Sequence, residues 1–224
     1  MSEPLIIAID GPSGAGKSTL GRKLARALGL LYIDTGSMYR AVALAVMKSG
    51  VDLEDHAAIG SLASRLRLDL EGDPDSLKVY LEGRDVTEEI RTEEVTHISS
   101  IISTIPAVRR AMVSRQRELG RGGAVLNGRD IGTVVFPDAQ VKFFLTASPK
   151  ERAKRRFAET GDETPSFDEV LTEMIDRDRR DSTRADSPLA VAHDAVLIDS
   201  TGLSIADVLT RMLSTVRAKT KTTE

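Results

Sequence analysis

The chain has 224 residues, 41% hydrophobic and 29% charged, with a formal net charge of -3, which fits one substantial α/β domain with insertions. That balance gives no global field to favour nucleic acid or an anionic membrane. The absence of cysteine excludes disulfides, thiol catalysis and cysteine-based zinc sites.

Leu5–Ile9 is a continuous apolar run that stops at Asp10, and Leu5–Asp10 is predicted to be a buried central strand. Glu3 and the lack of a basic stretch ahead of it do not fit a signal peptide, and no apolar run has the length of a membrane span. A cytoplasmic protein is expected. Gly11-Pro12-Ser13-Gly14-Ala15-Gly16-Lys17-Ser18 follows, matching G-x-x-x-x-G-K-[ST], with Thr19 opening a helical pattern. Glycines let backbone N–H groups turn inward around an anion, and the next helix start adds positive potential. Gly11 to Thr19 are therefore the predicted ligands of a nucleoside triphosphate. Lys17 reaches the β- and γ-phosphates, and the Ser18 hydroxyl is the predicted Mg²⁺ ligand.

A helix is expected over Lys17–Leu28 with Gly29 as its C-cap, then a short strand Leu30–Ile33. Asp34–Ser37 reads as a polar turn at that strand's end, before a helix through about Lys48. Strand, helix, strand, helix implies a parallel sheet whose ligands bind beyond the C-terminal strand ends. After Leu53 the texture changes. A helical segment, Asp55–Leu66, precedes two alternating runs, Arg67–Glu71 and Leu77–Glu82, read as an exposed antiparallel hairpin. Helical Glu93–Ser103 follows, so residues 61–104 read as an inserted subdomain within a core of 1–60 and 105–224.

Pro106 starts a helix carrying Arg109, Arg110, Arg115 and Arg117. Strand Ala124–Leu126 leads into Asn127-Gly128-Arg129-Asp130, where a turn accounts for Asn-Gly. Strand Val141–Leu145 leads to a helix with Arg152, Arg155 and Arg156 on one face. Gly161–Pro165 is a connection within an expected lid at about 150–165. A long helix from Ser166 places Arg177, Asp181 and Arg184 on one face. Ala195–Asp199 is a last strand, Ser204–Val216 a last helix, and Arg217–Glu224 a fraying tail. The histidines, His56, His97 and His193, show no ligand spacing and read as exposed or packed.

Chemistry concentrates where strand ends face the glycine loop. Capping explains Asp34 or Thr35, but not Arg40 in an otherwise apolar helix. Arg129 can grip a phosphate bidentately, and Asp130 can orient it or ligate Mg²⁺ through water. The glycine loop accounts for one phosphate ester. Arg40, Arg109 and Arg129 are surplus to it, which argues for a kinase whose acceptor is itself a phosphate.

Five stretches make a more specific case: Ile9–Thr19, Asp34–Arg40, Glu88-Glu-Ile-Arg-Thr-Glu-Glu-Val95, Asn127–Ala139 and Asp181-Ser-Thr-Arg-Ala-Asp-Ser-Pro-Leu189. Together they resemble the bacterial cytidylate kinases over nearly the whole chain. The resemblance implies a three-layer P-loop kinase core, an antiparallel α+β insert at 61–104 that binds the monophosphate, and a helical lid. It implies phosphoryl transfer from ATP to CMP and dCMP with Mg²⁺. It places Thr35, Arg40, Arg109, Arg129, Asp130, Asp181 and Arg184 around the acceptor. Lys17, Arg129, Arg184, Arg152 and Arg156 become the catalytic set, with Arg155 a further lid arginine. Asn127 departs from the aspartate that can occur there, which removes a negative charge near Mg²⁺.

The alternatives are a kinase for another nucleoside monophosphate or small metabolite, a GTP-binding switch, and a P-loop ATPase. No Asn-Lys-x-Asp motif reads guanine, and Val196–Asp199 is the one fair Walker B candidate. The expected partners are ATP and CMP or dCMP, with no nucleic acid and no membrane, and the default is a monomer.

Overall fold

The computed structural model describes residues 4–159 and 166–221. Five strands form a parallel sheet: β1 (Ile6–Asp10), β2 (Leu31–Asp34), β6 (Ala124–Gly128), β7 (Val141–Thr146) and β8 (Val196–Asp199), in the order β2-β6-β1-β7-β8. All residues of β1 are buried, as the unbroken apolar run requires of a central strand. Alternate residues serve opposite faces. Ile6 and Ala8 join one buried cluster, with α2 (Thr35–Ser49) and α5 (Pro106–Gly120). Ile7 and Ile9 join the other, with α1 (Lys17–Leu28) and α8 (Ile205–Lys221). The result is three layers, helix on sheet on helix.

Between α2 and α5 lie α3 (His56–Arg65), β3 (Leu68–Glu71), β4 (Lys78–Leu81), β5 (Arg84–Asp85) and α4 (Glu93–Ile102). The expected hairpin is present and gains a third antiparallel strand, β5, paired through Tyr80 and Leu81. Its apolar face is not a separate core. Leu68, Val79, Leu81, Val86, Ile90 and Val95 share one cluster with Met38, Val42 and Leu126. Helices α3 and α5 approach closely at Gly60, where a Cβ would lie 2.5 Å from that of Ala107.

Three local expectations change. Residues 35–37 are not a turn but the first turn of α2, with Asp34 as N-cap accepting from the Ser37 N–H at 3.4 Å. Asn127 and Gly128 are not a turn but the end of β6, paired with Ile9 and Asp10 of β1. Ile131–Val135, to which the sequence assigned no element, forms a short π-helical turn. The tail does not fray from Arg217, since α8 continues to Lys221. Helices α6 (Pro149–Glu159) and α7 (Phe167–Thr183) match the expected arginine-rich pair. The connection Gly161–Pro165 lies outside the described residues.

Candidate active site

The loop after β1 is shaped by steric necessity. Gly11 has φ +146°, and an added Cβ would sit 1.9 Å from the Leu145 carbonyl oxygen. Gly14 and Gly16 also take positive φ. Helix α1 starts with no side-chain cap and no acidic residue in its first turn, so its first amides remain free for an anion. Lys17 Nζ donates to the Pro12 carbonyl at 2.6 Å. Burial, then the nearby Arg129 and Arg177, hold its ammonium pKa well below the usual lysine range. Incoming phosphate reverses that balance, because an anion favours the charged amine.

Strand β6 delivers Asn127 to the same loop: its Nδ2 donates to Ser18 Oγ at 3.0 Å. Asn127 Oδ1 is buried without a hydrogen-bond partner. Among the described residues no three His, Cys, Asp or Glu side chains cluster as a metal cage. The donors present are the Ser18 hydroxyl and the orphaned Asn127 oxygen. They fit a magnesium ion that takes most of its oxygens from nucleotide phosphates and water.

Beyond the strand ends stands a second, cationic cluster. Arg109 of α5 is 2% exposed, pairs with Asp130, donates to the Ser103 carbonyl at 3.2 Å, and lies over the Tyr39 ring at 5.6 Å. Arg129 Nε donates to Asp181 at 2.7 Å. Arg184 lies 3.7 Å from Asp181 and 4.0 Å from Asp130, and its Nε donates to the Ser187 carbonyl at 2.7 Å. Two carboxylates therefore organise three arginines drawn from three elements. Burial opposes ionisation of Asp181, but Arg129 and Arg177 outweigh it and hold its carboxyl below the usual range. Burial, then Arg129, pushes the Arg177 guanidinium down to about 10.

Arg40, on α2, donates to Ser37 Oγ at 2.7 Å. Thr35 Oγ1 donates to the Asn127 carbonyl at 2.7 Å, joining the end of β2 to the end of β6. Nε of Arg40, Arg109 and Arg177, with one terminal nitrogen of Arg184, are buried donors without hydrogen-bond partners. Unpaired buried donors are costly, and several converging in one place have the character of an anion site.

These groups line one cleft of about 810 Å³, reaching from the glycine loop to Ser99 and Ser103 at the end of α4. Thr35, Arg40, Arg109, Arg129, Asp130, Asp181 and Arg184 all border it, as do Lys17 and Ser18. Arg155 and Arg156 border it too, but Arg152 does not. Arg152 is 4% exposed, donates to the Ser13 carbonyl at 2.9 Å, and pairs with Asp178 of α7 at 2.6 Å. Arg155 is held by the Ser200 hydroxyl at 3.0 Å and carbonyl at 2.9 Å. The shared face that spacing predicts for them exists, yet the two spend their donors in different directions. Asp199, at the end of outermost β8, accepts from the Thr201 N–H at 2.9 Å and does not border the cleft.

Sequence reading did not single out Tyr39, Ser99 or Ser103. Tyr39 carried a signal, being one residue before Arg40 in the Asp34–Arg40 stretch. Asp10 was read only as a strand terminus, although a charge closing an unbroken apolar strand marks a buried ion.

Comparison with known proteins follows the same line. A family model described as cytidylate kinase matches residues 7–218. A cytidylate kinase of Solibacter usitatus is 52% identical over 220 residues, covering 96% of this chain and 93% of its own. One of Mycobacterium leprae is 48% identical over 219 residues, covering 96% of each. Among solved structures, an uncharacterized protein from Eubacterium ventriosum aligns with a TM-score of 0.55 at 11% identity, covering 96% of this chain and 99% of its own. That likeness is one of fold.

Proposed function

The chain belongs to the cytidylate kinase family, and we propose that it transfers the γ-phosphoryl group of ATP to CMP and dCMP. The observation that carries this reading is the division of one cleft into two anion sites. One is a backbone cradle with Lys17; the other is a guanidinium cluster with donors to spare. A kinase acting on a neutral hydroxyl needs only the first.

The residues divide the work as follows. The glycine-loop amides and Lys17 hold the ATP phosphates. Ser18 Oγ and Asn127 Oδ1 would hold magnesium, which when bound would supply positive charge to the transferring phosphates. Arg40, Arg109, Arg129 and Arg184 neutralise the acceptor phosphate, so that its oxygen approaches the γ-phosphorus against less charge repulsion. Asp130 and Asp181 keep those arginines aimed. Transfer needs no covalent protein intermediate. Its barrier is lowered by positioning and by charge already in place. The insert at 61–104 contributes Arg91, Thr96, Ser99 and Ser103 to the cleft, and Ser99 and Ser103 meet the nucleoside. Helices α6 and α7, with Arg156, close over the ATP phosphates.

An ADP-release assay with CMP, dCMP, UMP, AMP, GMP or no acceptor tests the reading. Release that depends on CMP or dCMP is expected. Preference for AMP or GMP would move the chain to another monophosphate, and acceptor-independent release would make it an ATPase.

A further inference from the structure

Asp10 closes β1 one residue before the first loop glycine, and it is 4% exposed. Its Oδ1 accepts from the Ile131 N–H at 2.8 Å, and its Oδ2 from the Gly132 N–H at 2.7 Å. Both oxygens are thus given to the first two amides of the π-helical turn. Those amides follow directly on Arg129 and Asp130. The fit has little slack, since a Cβ on Gly132 would lie 3.1 Å from Lys142 Cδ and 3.4 Å from Asp10 Oδ2.

A carboxylate is costly to bury, and closing a strand does not by itself require one. What only an ionised carboxylate does here is accept two backbone N–H bonds side by side. Protonated, it keeps one acceptor oxygen and turns an O–H donor toward an N–H. We infer that Asp10 is a positioning residue for the acceptor arginines: its carboxylate clamps the Ile131 and Gly132 amides, fixing Arg129 and Asp130 relative to the phosphate loop. The inference rests on reading the arginine cluster as the acceptor phosphate site, and it names what ties that site to the donor site. The link spans 121 residues of sequence in one hydrogen bond.

The charged groups around the carboxylate support this assignment. Burial pushes Asp10 up to about 6, the two amides oppose that shift, Asp130 adds to it, and Lys17 reduces it. Lys142 of β7 sends its Nζ to Asp194 at 2.9 Å. The clamp is therefore set to loosen in mild acid.

Asp10→Asn makes the loosened state permanent at nearly constant shape. With the full-length enzyme, KM for CMP is expected to rise about tenfold, while KM for ATP stays within about twofold. A rise in both constants together, or in neither, overturns the inference. Absence of CMP turnover by the unaltered enzyme overturns the acceptor reading itself, and the inference with it. Should the variant fail to fold, the Ile131 and Gly132 amide proton resonances of the unaltered protein decide. A shared titration with a midpoint near 6 supports the clamp, and pH-independent resonances overturn it.

Discussion

Lys17 is a buried amine on which the cations Arg129 and Arg177 act more strongly than the carboxylates of Asp181 and Asp10. Its positive charge is therefore held in readiness for phosphate rather than satisfied by the protein. Lys17→Ala should lower kcat/KM by about 10²–10³, the scale for losing one charge-stabilising donor; steady-state kinetics with ATP and CMP check this. Arg184 keeps a terminal nitrogen without a hydrogen bond, while Asp130 and Asp181 flank it at ion-pair distance. Arg184→Ala should raise KM for CMP well beyond any change in KM for ATP, and an effect confined to ATP would move the residue to the donor side. Arg109 is the largest fully buried side chain of the molecule's described residues. Arg109→Leu leaves Asp130 buried without its closest partner, so unfolding in urea should show a loss of about 3–5 kcal/mol. Asp10 has the opposite linkage. Its pKa is higher in the fold than in the unfolded chain, so its contribution to stability is fully present below about 3.9. That contribution is lost as pH rises through about 6. Asp10→Asn should then gain thermal stability relative to the unaltered protein on going from acid to neutral pH, even as it weakens CMP use.

At the scale of elements, what the sequence revealed depended on whether a local rule decided the outcome. The unbroken run Ile6–Asp10 allows only a central strand, and Gly29 and Gly50 end their helices in the left-handed conformation that glycine favours. Where the outcome is tertiary, local reading fails. Asn-Gly is turn chemistry by itself, but at 127–128 the ladder with β1 outweighs it. The β-branched Ile131–Val135 curls into a π-turn because Asp10, far back in the chain, takes its leading amides. Spacing assigned Arg152 to a face but had no means of assigning its partners, Ser13 and Asp178. Helix α7 is the reverse case, with a capping box fully written in Ser166 and Glu169. Ser166→Ala should destabilise the protein by about 1 kcal/mol in equilibrium unfolding, leaving KM for CMP unchanged, because the cap lies at the far end of α7 from Asp181 and Arg184.

For the whole molecule, which residues border the cleft was largely legible and the wiring between them was not. Arg40 and Arg129 stood out as charges beside apolar segments, the glycine loop by its motif, Arg109 as an arginine surplus to that loop, and Asp181 and Arg184 by a shared helix face and the family resemblance. The bonds that make them one site run between β1, β6, α5 and α7, and they exist only once the sheet order β2-β6-β1-β7-β8 brings those ends together. The continuous buried cluster that joins α2, β6 and residues 61–104 has a further consequence, visible on a clock rather than in a binding curve. With no boundary of apolar packing between insert and sheet, neither can open while the other stays closed. In native-state hydrogen exchange, the slow amides of β4 and of β6 should disappear with one common opening free energy. Residues that look like an addition to the fold would thus share its lifetime.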